Sequence, residues 1–133
     1  MTPNYDELGV LLGTVVQSQE EAVAGAGVLR LMYPGLGIVV TRGDMEMPND
    51  LFLEPEGKPR WLAGRRIEST ATHGTGCAFS SALACGLADG HSGYDSAIVP
   101  KQFVEQAILR APGPGRGRGP MNLRWPLEAR ETG

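Results

Sequence analysis

The run Ile38-Val39-Val40 constrains the fold more than any other stretch of the chain. Consecutive β-branched residues without apolar/polar alternation mark a strand covered on both faces, the usual condition in a parallel sheet flanked by helices. Such a strand needs covering helices, and the sequence supplies them. Leu8, Leu11, Leu12 and Val15 recur at helical spacing, which predicts a helix over residues 4–13, preceded by Pro3 and stopped by Gly13. Ser18-x-x-Glu21 has the form of a capping box and opens a second helix with Ala22, Ala26, Leu29 and Tyr33 as its apolar stripe. Pro34-Gly35 ends it. Gly25 and Gly27 inside this helix cost about 1 kcal/mol each relative to alanine, and signal either close packing or a frayed middle.

Beyond the strand, Leu51-Phe52-Leu53 and Arg60-Trp61-Leu62 flank a Pro55-Glu56-Gly57-Lys58 turn and read as a hairpin. A short strand is expected at Arg66-Ile67-Glu68, then a helix over residues 76–88. A last helix is expected over residues 94–110, capped by Ser92-x-x-Asp95, with Pro100 kinking it or delaying its start. From Pro112 onward the sequence is rich in Gly, Pro and Arg and predicts irregular structure. Alternating helices and strands make the class α/β.

Composition excludes several functions. With 41% hydrophobic and 20% charged residues the chain is neither disordered nor fibrous, and its 133 residues suit one core. No apolar run reaches the roughly 18–20 residues of a membrane span, and Asp6 and Glu7 do not fit a signal peptide. A net charge of −3 argues against a dedicated nucleic-acid binder. Cys77 and Cys85 on one helix would lie about 12 Å apart along its axis, too far for a disulfide. Two thiols fit a reducing compartment, and a cytoplasmic location is expected.

The chemistry concentrates in Thr72-His73-Gly74-Thr75-Gly76-Cys77, a glycine-rich loop leading into a helix. Glycines let successive backbone N–H groups converge, and a helix N-terminus adds about half a positive charge, so the loop suits a phosphate. Cys77 falls in the first turn, where the dipole favours a thiolate that can act as a base. An ordinary strand-to-helix turn with a structural cysteine explains the spacing equally well.

The same loop closely resembles the signature of the hydroxymethylpyrimidine/phosphomethylpyrimidine kinases of thiamine biosynthesis, within the ribokinase-like superfamily. Four more segments resemble that family in order and spacing. They are Thr2-Pro3-Asn4 with Glu7, Val39-Val40-Thr41-Arg42-Gly43, Lys101-Gln102-Phe103-Val104, and Gly117-Arg118-Gly119-Pro120-Met121-Asn122. The resemblance covers residues 2–122 and only the C-terminal half of the family's kinases. It implies half of a ribokinase-like, three-layer α/β/α fold with a small β-hairpin over residues 1–111, followed by a tail over residues 112–133.

The resemblance also implies roles. Gly74, Thr75, Gly76 and Cys77 would form the anion hole for the phosphoryl group in flight, and Cys77 would be the catalytic base. Asn4, Glu7, Thr41, Arg42, Gly43 and Lys101 would bind ATP and its phosphates, with Glu7 reaching Mg²⁺ through water. Arg42 stands where the family has a phosphate-contacting lysine, keeping the charge but changing the donor geometry. Asp44 replaces a glycine common in the family, and Pro100 a residue that is usually alanine. The implied reaction is ATP-dependent phosphorylation of hydroxymethylpyrimidine or its monophosphate. The alternative is an inactive nucleotide- or phosphate-binding fragment. The expected partner is a second copy or a complementing N-terminal half, because a cut sheet leaves an open edge and uncovered apolar faces at Ile38-Val39-Val40 and the first helix.

Plainer readings stand beside these. Asn4 and Glu7 are good residues for a simple helix cap. Cys85, among Ala82, Ala84 and Gly86, reads as small core packing, Trp61 as hairpin packing, and His91 as a solvated loop residue. His73 suits a loop-ordering hydrogen bond as well as a phosphate contact. Arg116 and Arg118 resemble RNA-binding Arg-Gly tracts, but in one short copy on an acidic chain.

Overall fold

A computed structural model of the chain describes residues 1–42, 49–113 and 119–131. These divide into two compact units, Met1–Arg65 and Arg66–Gly133.

In the first unit, α1 (Tyr5–Leu12) is capped by Asn4 and closed by Gly13, whose φ of 67° is the left-handed conformation that ends a helix. The helix α2 (Gln19–Met32) follows. At its start Ser18 Oγ accepts from the Glu21 N–H at 3.1 Å, while Glu21 Oε2 accepts from the N–H groups of Gln17 (2.7 Å) and Ser18 (3.2 Å). Those bonds hold the Glu21 carboxyl below its ordinary value. Gly25 is a packing site, since a Cβ there would meet Leu12 Cδ1 at 2.8 Å, whereas nothing lies within 4 Å of Gly27.

The three strands β1 (Ile38–Val40), β2 (Asp50–Leu53) and β3 (Arg60–Leu62) form one sheet in that order. All of β1 is buried, as its β-branched run requires. Its neighbour β2 is antiparallel, with Val39 opposite Phe52, which corrects the parallel partner expected from sequence. The physical reason is chain length. Only residues 41–49 join β1 to β2, and a parallel crossover needs a dozen or more. A parallel neighbour does exist on the other side of β1. Residues 1–4 run beside it, with the Val39 N–H donating to Met1 O and the Thr41 N–H to Pro3 O, both at 2.9 Å. The β2–β3 hairpin forms as expected, pairing Leu51 with Trp61. Leu8, Ala22, Ala26, Leu29, Ile38, Val40, Leu51 and Leu53 make one core against which Trp61 packs. The apolar exposure expected at Ile38-Val39-Val40 is therefore absent, while Val10 (82% exposed), Leu11 and Val15 are uncovered.

In the second unit the expected strand at Arg66-Ile67-Glu68 does not form. A lone half-buried Ile67 between exposed Arg66 and Glu68 buries too little to hold one. The helices α3 (Thr75–Ala88) and α4 (Gly93–Leu109) pack together. Gly86 permits the approach, because a Cβ there would lie 3.2 Å from Ser96 Cβ. Pro100 does not delay α4, which opens at Gly93 behind the Ser92 cap and runs through it. Cys85 is exposed, not core. The helix α5 (Trp125–Glu131) corrects the expectation of an irregular tail. Trp125 lies 6.0 Å from the Phe103 ring and 5.0 Å from the Arg110 guanidinium, so contact with α4 supplies what local propensity lacks. Pro126 is tolerated because it sits in the first turn.

Gly27→Ala should raise stability by about 0.5–1 kcal/mol in thermal denaturation. Gly9→Ala should lower it, because the new Cβ would sit 2.6 Å from Thr14 O. The Glu21 cap stabilises α2 above the ordinary carboxylate value of 4.5 and is lost as pH falls through the lowered one. Glu21→Gln should therefore flatten the acid limb of a Tm-against-pH curve.

Candidate functional site

The first unit gathers four of the proposed site residues at the C-terminal end of β1. Asn4 bridges to Thr41 across the parallel pairing, which sets the start of α1 beside the end of the strand. Asn4 Oδ1 accepts from the Glu7 N–H at 2.8 Å, and Glu7 Oε2 accepts from the Asn4 N–H at 2.9 Å. The plain capping role is thus present. It uses one oxygen of each side chain, and Glu7 remains exposed with Oε1 outside the cap. Arg42 follows Thr41, and its backbone N–H donates to Asp50 Oδ1 at 3.0 Å. Its guanidinium carbon lies 5.4 Å from the centre of the Tyr5 ring. Gly43 and Asp44 lie outside the described residues.

Sequence reasoning passed over Tyr5 and Asp50. Tyr5 is only 7% exposed, and burial pushes its phenol up while the Arg42 cation pulls it down. Asp50 is 5% exposed at the start of β2. The available signal was an acidic residue directly before an apolar strand, a position where burial demands a hydrogen-bonded partner.

In the second unit Gly74 is the N-cap of α3, with φ 82°, and no side chain caps the helix. The N–H groups of Thr75, Gly76 and Cys77 belong to the first turn, which has no acceptors within the helix. No acidic residue occupies that turn. Thr75 Oγ1 turns away to donate to Thr72 O at 3.3 Å, and the Ser80 and Ser81 hydroxyls donate back to Gly76 O and Cys77 O. Cys77 is a free, exposed thiol at this positive helix end. The loop is held from behind, since the Gly119 N–H donates to Thr70 O and the His73 N–H to Gly119 O. Beside these bonds His73 bridges to Pro120. The backbone of His73 takes part in these bonds, and its side chain is exposed. Lys101 lies on α4, the neighbour of α3. Arg116 and Arg118 lie outside the described residues.

The site residues therefore form two groups. Asn4, Glu7, Thr41 and Arg42 share the first unit, and Gly74, Thr75, Gly76, Cys77 and Lys101 share the second. No helix is long and apolar enough to cross a membrane among the described residues.

Comparison with known proteins gives these groups a context. Residues 1–122 match the family model described as phosphomethylpyrimidine kinase. A hydroxymethylpyrimidine/phosphomethylpyrimidine kinase of Streptomyces coelicolor is 32% identical over 127 residues, covering 95% of this chain and 46% of the relative. Its Staphylococcus aureus counterpart is 30% identical over 125 residues, covering 92% and 45%. Among solved structures, the pyridoxal kinase of Staphylococcus aureus in complex with AMP-PCP superposes with a TM-score of 0.83 at 26% identity, covering 92% of this chain and 45% of that one. The Bacillus subtilis pyridoxal kinase in an ADP complex gives 0.82 at 25% identity, covering 92% and 47%. The chain spans about half the length of the curated relatives it matches, as expected of one resembling their C-terminal half. Its α/β fold is of the ribokinase-like type. With its signature loop at an uncapped helix start and 122 matched residues, the chain belongs to the phosphomethylpyrimidine kinase family.

Proposed function

We propose that the chain carries the nucleotide and phosphoryl-transfer half of an enzyme that phosphorylates hydroxymethylpyrimidine or its monophosphate with ATP in thiamine biosynthesis. The observation that carries this reading is the family match over residues 1–122, which includes every proposed site residue. ATP use is supported by the solved relatives in complex with ADP and AMP-PCP. When bound, ATP supplies the phosphoryl group and Mg²⁺ offsets charge on its phosphates.

The residues fit those groups. Uncapped first-turn amides of Thr75, Gly76 and Cys77 are donors for phosphoryl oxygens, and the left-handed Gly74 lets the backbone approach closely. Cys77, exposed beside them, takes the proton from the acceptor hydroxyl as the phosphoryl group arrives. Arg42, Thr41 and Lys101 hold nucleotide phosphates. Gly43, between Thr41-Arg42 and Asp44, belongs to the same assignment. Glu7 reaches Mg²⁺ through water using Oε1, because Oε2 is committed to the cap. Among the described residues no group of three His, Cys, Asp or Glu makes a metal cage, and Mg²⁺ commonly rests on one or two carboxylates, water and phosphates.

A second acceptor, pyridoxal, is favoured by the pyridoxal kinases among the structural relatives, one of them solved with AMP-PCP and pyridoxal. The alternative of an inactive fragment needing a partner chain draws on the half-length coverage. A complementing N-terminal half or a second copy would cover the exposed Val10, Leu11 and Val15.

A coupled ADP-release assay tests the assignment. The chain is assayed alone and mixed with the N-terminal half of a family member, using hydroxymethylpyrimidine, its monophosphate and pyridoxal as acceptors. Release should require Mg²⁺ and an acceptor, and Cys77→Ala should lower the rate by about 10²–10⁴-fold. Equal rates for variant and wild type would remove Cys77 from the chemistry. ATP binding without turnover in any mixture would establish the inactive module. Glu7→Gln separates the two roles of that residue. Glutamine still accepts from the Asn4 N–H, so thermal stability should hold while Mg-ATP affinity falls. Loss of stability with unchanged affinity would assign Glu7 to the cap alone.

A further inference from the structure

Two buried polar atoms at the end of β1 have no hydrogen-bond partner among the described residues, Tyr5 Oη and Arg42 Nε. Buried orphans of this kind are uncommon and each calls for an explanation. Here they belong to residues in contact, since the Arg42 guanidinium lies over the Tyr5 ring at 5.4 Å. Both residues are held from the backbone outward. Tyr5 is the first residue of α1 behind the Asn4 cap. The Arg42 backbone is tied to Asp50 Oδ1 at 3.0 Å. Asp50 thus fixes the main chain of Arg42, and the Tyr5 ring lies under its guanidinium carbon. A guanidinium held over an aromatic ring still offers N–H groups at its edge, where a phosphoryl oxygen binds.

We propose that Tyr5 is a positioning residue for Arg42, its ring holding the guanidinium while Asp50 holds the main chain, so that the N–H edge of the guanidinium meets a nucleotide phosphoryl oxygen. The proposal rests on the reading of Arg42 as a phosphate contact. It adds to that reading a residue which holds the contact without touching the nucleotide. An arginine at this position gains from an aromatic neighbour in a way a lysine point charge would not, because only the planar group is aligned by stacking.

The test is Mg-ATP affinity of the chain by titration calorimetry, with melting curves as a control for folding. Tyr5→Met keeps bulk without an aromatic face and should weaken binding about three- to tenfold. Tyr5→Phe keeps the face and should bind like wild type. In an Arg42→Ala background Tyr5→Met should cost nothing further, because the partner it positions is gone. An equal loss in both backgrounds, or no loss in either, overturns the proposal. A second measurement needs no change at Tyr5. In the Tyr33→Phe/Tyr94→Phe chain, ultraviolet titration reports the Tyr5 phenol, and Arg42→Ala should move it upward by removing the cation that lowers it. An unmoved titration overturns the contact itself. A wild-type chain that binds no Mg-ATP overturns the phosphate reading and this proposal with it. Binding that depends on Arg42 but not on Tyr5 overturns this proposal alone.

Discussion

The backbone pairing of residues 1–4 with β1 is the interaction on which the first unit's site depends. Two hydrogen bonds, from the Val39 and Thr41 N–H groups to Met1 O and Pro3 O, align the chain before α1 with the strand. The pairing runs on to the bridge between Asn4 and Thr41, where Asn4 turns the chain into the helix. The cap, the strand end and Arg42 then meet without any flexible segment between them. The energy comes from burial behind them, where Leu8 of α1 and Ile38 and Val40 of β1 share one core.

The second unit uses a similar device with different parts. The glycine loop before α3 is held by bonds to Gly119 and a bridge to Pro120, residues more than forty positions away in sequence. Met121 is buried next in the chain, and the Asn122 N–H donates to Ala107 O at 2.8 Å on α4. Asn122 Nδ2 also donates to Glu128 Oε2, which ties α5 to the same turn. The first-turn amides of α3 have no capping side chain, so the loop's anchoring comes from chain further along.

Much of this was legible in residues. Ser18 caps the helix it is expected to cap, and Asn4 fills the plainer capping role open to it, because capping is settled within four residues. The hairpin, the fully buried β1 and the helix after the glycine loop also follow local pattern. Errors fell where pattern underdetermines partners. Burial on both faces of β1 suggests a parallel sheet, yet the short link to β2 makes that neighbour antiparallel and leaves the parallel pairing to residues 1–4. Cys85 was placed inside on the strength of small neighbours, yet its face of α3 is open. The helix α5 was invisible because a seven-residue segment with a proline has no stability of its own, and Trp125 gains it only against Phe103 and Arg110.

The sequence by itself determined the family, the helix caps, the doubly buried strand and the glycine loop that opens α3. These are local features, in which each residue's conformation depends on its near neighbours. Only the tertiary structure decided which strand pairs with which, that Tyr5 lies against Arg42, that Asp50 is buried beside them, and that the far C-terminal chain braces the glycine loop. Each of these joins residues distant in sequence, and nothing in the spacing of residues along a chain records which of its surfaces will be brought together to leave water.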